Sequence, residues 1–128
     1  MSNSEYRPLR GGELICSSDH LAERDSHLFR IHYRGELRDA MLIRHNGAVY
    51  GYLNRCVHMP KRLDCEQSYI FDKSGKFIRC SMHGIIYDPG SGLCQSEICA
   101  GKALTALKVG EHDNSIYLLE KHASLYAL

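Results

Sequence analysis

A chain of 128 residues is the size of one domain, with room for one core and none for two substantial ones. Its 16 Lys and Arg against 15 Asp and Glu leave a formal charge of +1, so no net field draws it to nucleic acid or to an anionic membrane, and neither partner is expected. No run of ~18 apolar residues occurs and the polar opening MSNSEYRPLRGG lacks the apolar middle of a secretory signal, so the expectation is a cytoplasmic protein whose six cysteines are thiols or metal ligands, not a disulfide framework.

Residues 1–12, with Pro8, Gly11 and Gly12, read as a flexible N-terminal tail. The one stretch suited to a helix, SSDHLAERD, is short, with Ser18 or Asp19 as its cap. Three runs rich in β-branched and aromatic residues follow: FRIHYR (29–34), AMLIRH (40–45) and AVYGYLN (48–54). GELRD divides the first two and Asn46-Gly47 the last two, and Asn-Gly between such runs signals a hairpin, so an antiparallel meander is predicted. SYIFDKSGKFIRC spells a second hairpin around Asp72, Ser74 and Gly75, delivering Cys80 to the end of a strand. After the loop YDPGSG (87–92), ALTALKV and SIYLLE around GEHDN predict a last pair of strands. With no internal repeat and no low-complexity segment, the pattern predicts an all-β domain of small antiparallel sheets.

Two thiol–imidazole pairs stand at strand ends, Cys56 with His58 in CVH and Cys80 with His83 in CSMHG. The hairpin within 59–79 folds the chain back and brings the pairs face to face. Two Cys and two His suit a tetrahedral zinc, or a [2Fe-2S] cluster in which two His replace two Cys on one iron. Zinc modules usually pair like with like, Cys on a knuckle and His on a helix; here each half supplies one of each and neither follows a helical pattern. A two-iron cluster asks for both thiolates on one iron and both imidazoles on the other, which two loops approaching from opposite sides satisfy. Zinc stays open as the alternative.

At CVH, CSMHG and YDPGSGLC, behind the β meander, the sequence resembles the Rieske iron–sulfur family over roughly residues 14–120. The resemblance implies a Rieske (ISP-like) fold: a single domain over 13–122, with a base of 13–54 and 95–122, a cluster-binding subdomain inserted at about 55–94, and a C-terminal tail at 123–128. It also implies one [2Fe-2S] cluster, held by Cys56 and Cys80 on the inner iron and by His58 and His83 on the outer iron near solvent. Around them Gly84 lets the backbone approach the cluster, Tyr87 donates to a cysteine sulfur, and Pro89 sits in a loop that shields the cluster. The interval between His58 and Cys80 is several residues longer than in many family members. Ile85 stands where high-potential members carry a serine, and Ser81 and Met82 leave no bridging cysteine between Cys80 and His83. A potential low to intermediate within the family range of roughly −150 to +300 mV is implied. The imidazole ligands imply a potential that falls at alkaline pH.

The function implied is a soluble one-electron carrier rather than an enzyme in itself, taking electrons from a reductase to an oxygenase or other redox partner through an exposed edge at His58 and His83. Alternatives on the same fold are a small subunit of a nitrite reductase-like or other redox complex, and a redox-sensing or structural metal-binding module. A complete oxygenase needs a mononuclear iron held by two His and a carboxylate, and no stretch offers that set at a convincing spacing. Cys16, Cys65, Cys94 and Cys99 read most simply as small thiols. Cys94 and Cys99 also resemble the GxCxxGPC segment of some short bacterial relatives, with Ser96, Glu97 and Ile98 filling the middle, and a regulatory disulfide between them is the alternative. His20, His27, His32, His45, His112 and His122 read as surface side chains. Between Arg55 and Arg79 six basic residues stand against three acidic ones, a solvated loop face or a surface that steers an acidic redox partner.

Overall fold

The computed structural model describes residues 12–57, 61–64, 69–80 and 84–126. Among the described residues ten strands follow in chain order: β1 (Glu13–Ser17), β2 (Ser26–Tyr33), β3 (Glu36–His45), β4 (Ala48–Leu53), β5 (Ile78–Arg79), β6 (Ile86–Tyr87), β7 (Ala106–Leu107), β8 (Val109–His112), β9 (Ser115–Leu118) and β10 (Ala123–Leu125). The helical turns among the described residues are two 3-10 segments, Ser18–His20 and Glu97–Cys99. The all-β expectation holds.

The helix expected in SSDHLAERD is only that first turn, and its cap is Ser17, whose hydroxyl accepts from the Asp19 N–H at 3.3 Å. One large apolar side chain, Leu21, anchors the stretch in the core. No apolar stripe exists to bury a longer helix, and Arg24 at φ 63° ends it.

Asn46 (φ 53°) and Gly47 (φ 83°) both take the left-handed conformation that a two-residue hairpin turn requires, and the pair sets the β3–β4 register at His45↔Ala48. Arg34 with Gly35 turns β2 into β3, and Asp113 with Asn114 turns β8 into β9, by the same geometry. Gly110 to His112, expected in the last connection, therefore belong to β8. ALTALKV is not one strand: its end splits into β7, paired with β4 at Gly51↔Leu107, and β8, paired with β9.

The strands form a three-stranded sheet β1-β9-β8, a five-stranded sheet β10-β2-β3-β4-β7 and a two-stranded sheet β5-β6. Residues 123–125, expected to begin a tail, instead pair as β10 with the edge of β2 through Ala123↔Tyr33. The run Ala40 to Ile43 is buried without alternation because the five-stranded sheet is covered on both faces. Ala40 packs with Ile31, Leu53, Leu107 and Leu118, and Leu42 with Cys16, Leu21 and Ile116, all on the side of the three-stranded sheet. Met41 and Ile43 face the other way, toward a core that includes Cys56, Cys80 and Tyr87. Where β4 passes β8 a side chain is excluded: a Cβ on Gly51 would lie 2.8 Å from Val109 Cγ1.

Candidate metal centre

Beyond β4 the chain leaves the sheet, and its backbone groups are met by side chains and tight turns. Asn54, 3% exposed, organises the first loop. Its N–H donates to the Asp39 carbonyl at 2.9 Å, its Oδ1 accepts from the Leu63 N–H at 2.8 Å, and its Nδ2 donates to Asp64 Oδ1 at 3.0 Å. Two residues later the Cys56 N–H donates to the Lys61 carbonyl at 2.9 Å and closes the loop.

The second loop repeats this closure. At the end of β5 the Cys80 N–H donates to the Ile85 carbonyl at 2.8 Å, again five residues on, while the Gly84 N–H donates back to Cys80 at 3.0 Å. Gly84 has φ +68°, a conformation that favours glycine, and the position its Cβ would take is 3.3 Å from the Arg79 guanidinium. Each loop opens on a thiol, and both thiols are buried in one apolar cluster, Cys56 at 2% and Cys80 at 0% exposure. His58, His83 and Cys65 lie outside the described residues.

Tyr87 joins the loops. Its hydroxyl oxygen accepts from the Val57 N–H at 3.1 Å and lies 3.2 Å from Cys56 Sγ. Because the Val57 bond uses an oxygen lone pair, the hydroxyl's own proton is left to donate to sulfur. Burial, then the Cys56 bond, pushes the Tyr87 hydroxyl well above the usual phenol range, so it stays a donor. Pro89 is buried and its carbonyl accepts from the Tyr52 hydroxyl at 2.7 Å. The Asp88 carboxylate takes the Ser91 N–H at 2.9 Å and hydroxyl at 2.8 Å, which fixes the adjoining loop. Ile85, 2% exposed, is buried beside the second thiol and offers it no hydroxyl.

Buried thiols with a hydroxyl donor on one sulfur suit the thiolate ligands of an iron–sulfur centre, whose charge is tuned by such bonds. Cys16 plays no part here; it packs in the opposite core, where burial pushes its thiol up. Cys94 and Cys99, read most simply as separate thiols, are joined in a disulfide. His45 departs from a plain surface reading, since its Nδ1 is buried without a partner among the described residues. Sequence reasoning missed Asn54 as the clamp of the first loop, although an Asn ending a strand two residues before a ligand candidate is a usable signal.

Basic side chains ring the first loop. Arg38, Arg55, Lys61 and Arg62, with Asp39, line a hollow of about 230 Å³. A neighbouring hollow of about 340 Å³ shares Arg38 and Arg55 and reaches Cys56. Arg38 donates to Glu36 at 2.7 Å and Arg62 lies 3.7 Å from Asp64, while Arg55 and Lys61 have no ion-pair partner among the described residues.

A family model for the Rieske [2Fe-2S] domain matches residues 13–109. No curated protein matches in sequence. Among solved structures, the ferredoxin of carbazole 1,9a-dioxygenase from Nocardioides aromaticivorans IC177 is similar at 22% identity and TM-score 0.68, covering 86% of this chain and 98% of that one. A chain from the complex of reduced oxygenase and oxidized ferredoxin in carbazole 1,9a-dioxygenase is similar at 17% identity and TM-score 0.67, covering 90% and 97%. A chain from the reduced complex between oxygenase and ferredoxin is similar at 17% identity and TM-score 0.69, with 85% of this chain against 28% of that chain.

Proposed function

Because the chain belongs to the Rieske [2Fe-2S] domain family, whose cofactor is a [2Fe-2S] cluster, we propose that it is a cytoplasmic one-electron carrier between a reductase and an oxygenase or other redox partner. Cys56 and Cys80 bind one iron, His58 and His83 the other. The cluster supplies a place for one electron. The observation that carries the reading is the pair of matched loops, each opened by a buried thiol and closed five residues on, with the Tyr87 hydroxyl on one sulfur. Both solved complexes named above contain a ferredoxin with an oxygenase, and the likeness covers nearly all of the Nocardioides ferredoxin, which supports a carrier's role.

The partner meets the edge formed by His58 and His83. The basic hollow beside Cys56 favours a partner with an acidic rim, and the exposed Arg55 and Lys61 supply its long-range attraction.

The test is the purified protein with a Rieske-type oxygenase and its reductase. Expected are a brown protein with the electron paramagnetic resonance of a histidine-ligated [2Fe-2S] cluster, substrate turnover that depends on it, and loss of the colour in Cys56→Ser and His83→Ala. A colourless zinc protein, or a cluster that survives both substitutions, defeats the reading. Charge reversal at Lys61 and Arg62 is expected to slow transfer and flatten its salt dependence; an unchanged rate at every ionic strength removes the basic surface from the account.

A further inference from the structure

We propose that Cys94 and Cys99 form a reversible dithiol–disulfide couple that transmits the thiol state of the surroundings to the cluster through Tyr87. The proposal rests on the reading of Cys56 as a cluster ligand.

The disulfide closes a turn of six residues, with the two Cα atoms 5.9 Å apart. Cys94 is the antiparallel bridge partner of Tyr87. On either side of that bridge the Asp88 N–H donates to the Leu93 carbonyl at 2.9 Å and the Gln95 N–H to the Ile86 carbonyl at 2.8 Å, and the Ile86 N–H donates to Ser96 Oγ at 3.2 Å. Residues 93–96 thus act as a third strand beside β6. The far end of the turn is tied back as well, Cys94 N–H to the Lys102 carbonyl at 2.8 Å and Lys102 N–H to the Cys99 carbonyl at 3.0 Å. From the disulfide to Cys56 there are two steps: the bridge to Tyr87, then the hydroxyl 3.2 Å from Cys56 Sγ. Cys94, Cys99, Tyr87, Cys56 and Cys80 lie in one core.

The couple is placed to be reached. Both sulfurs are covered, but Gln95, Glu97, Ile98 and Ala100 around them are exposed, Ile98 at 60%. The turn is held by two long 3-10 bonds, Cys99 N–H to Ser96 at 3.3 Å and Ala100 N–H to Glu97 at 3.2 Å, and such a segment opens locally at little cost. A cross-link over so few residues also constrains the unfolded chain less than a long-range one.

Reduction needs two electrons, so the one-electron cluster is not its donor; a small-molecule or protein dithiol is. The dithiol's thiolate attacks one sulfur, the Cys94–Cys99 bond breaks, the mixed disulfide resolves within the reductant, and Cys94 and Cys99 end as two thiols while the reductant ends as a disulfide. With the cross-link gone the strand-like segment loosens from β6, and the Tyr87 hydroxyl is held less firmly on the sulfur. That bond favours the electron-rich reduced cluster, so its weakening lowers the potential and makes the carrier a poorer electron acceptor.

The test begins with the full-length protein purified in air, with and without dithiothreitol treatment and removal, alkylated and read by mass spectrometry. Expected is protection of Cys94 and Cys99 before treatment and labelling of both after it, a readout that needs no cluster. Film voltammetry then compares the two forms with Cys94→Ser/Cys99→Ser, expecting a lower midpoint in the treated and doubly substituted proteins and loss of that shift in Tyr87→Phe. If the double variant fails to fold, the treated wild type carries the comparison. Labelling of both cysteines before treatment overturns the couple, and one midpoint across all forms overturns its link to the cluster. A shift that persists in Tyr87→Phe overturns the route. A protein that shows the shift yet passes no electron to an oxygenase keeps this inference and loses the carrier role; a Cys56→Ser protein that keeps its cluster loses the ligand assignment and this route together.

Discussion

In the base of the molecule β2 and β3 pair over eight residues, from Ser26↔Ile43 to Tyr33↔Glu36, whereas beside the thiols β5 and β6 pair over two. Both regions must satisfy buried backbone groups, and they do so by different means. The base uses ladder hydrogen bonds and apolar packing on both faces of one sheet. The site uses Asn54, Asp72, Asp88, Ser91 and Ser96, short polar side chains that bind nearby N–H groups where no strand continues. A sheet fixes its register over many residues, so one side chain changes stability without changing shape. A loop clamped by one side chain loses position when that side chain goes.

Leu42→Ala tests the base half of this contrast and is expected to have the largest effect on stability. Leu42 is completely buried between the two sheets with Cys16, Leu21 and Ile116. Its truncation costs about 2–5 kcal/mol, seen as a lower denaturation midpoint with unchanged m. The visible spectrum of the folded protein stays as it is, because the thiols pack on the opposite face of β3. A changed cluster spectrum breaks the comparison.

Asn54→Ala tests the other half. It strands the Leu63 N–H and removes a donor from Asp64, at a cost of about 1–3 kcal/mol. The difference lies in where the loss falls: amide hydrogen exchange is expected to rise in 61–64 and at Cys56, with β2 and β3 still protected and the cluster lost faster to chelators. Uniform loss of protection through the sheets means the clamp is part of the base after all.

What the sequence made legible follows the same division. Asn46-Gly47 can adopt its two left-handed conformations almost nowhere but in a tight hairpin, so the β3–β4 turn was readable from two residues. Cys56 and Cys80 were singled out because thiol and imidazole side chains at matched spacing are rare, and both thiols lie in one buried cluster, while His58 and His83 lie outside the described residues. β10 was not: Ala-Ser-Leu carries no pattern of its own, and it is a strand only because the edge of β2 is open to it. The split of ALTALKV into β7 and β8 was hidden likewise, since its two ends serve different sheets. The Cys94–Cys99 link depends on the turn between them bringing the Cα atoms within reach, which five residues of separation allow but do not dictate.

Tyr87→Phe sharpens the comparison by leaving both the fold and the ligands in place. The ring still fills its buried position, and what goes is a hydroxyl that accepts from the Val57 N–H and donates toward Cys56 Sγ. A differential worth of about 1 kcal/mol for the bond to sulfur corresponds to roughly 40 mV in a one-electron midpoint. The potential is expected to fall by that order with the visible spectrum largely kept. A midpoint that stays or rises shows that the hydroxyl does not act on the sulfur's charge.

The smallest expected effect returns to the base, where one ion pair ties two sheets together. Arg44 on β3 binds Glu111 on β8 through two contacts, of 2.6 and 3.1 Å, while its Nε donates to the Leu21 carbonyl at 2.7 Å. The hydrogen bonds from Arg44, above all, hold the Glu111 carboxyl below its ordinary value of 4.5. A carboxyl depressed in the folded state adds stability in full above its unfolded value, and that stability drains away as the pH falls through the folded one. The pair is partly exposed and screened, so its share is at most about 1 kcal/mol. Glu23, with backbone N–H bonds from Gly47 and Asn46, and Asp72, where the Ser74 hydroxyl and backbone donors outweigh burial, are depressed too, so acid weakens the wild type by several routes. Subtracting the melting curves of Glu111→Gln from those of the wild type removes these shared contributions. The difference in melting temperature is expected to be small and constant well above the ordinary carboxyl value of 4.5 and to close as the pH falls below it. A difference that does not change with pH assigns Glu111 a packing role, and the sheets then owe nothing to its charge.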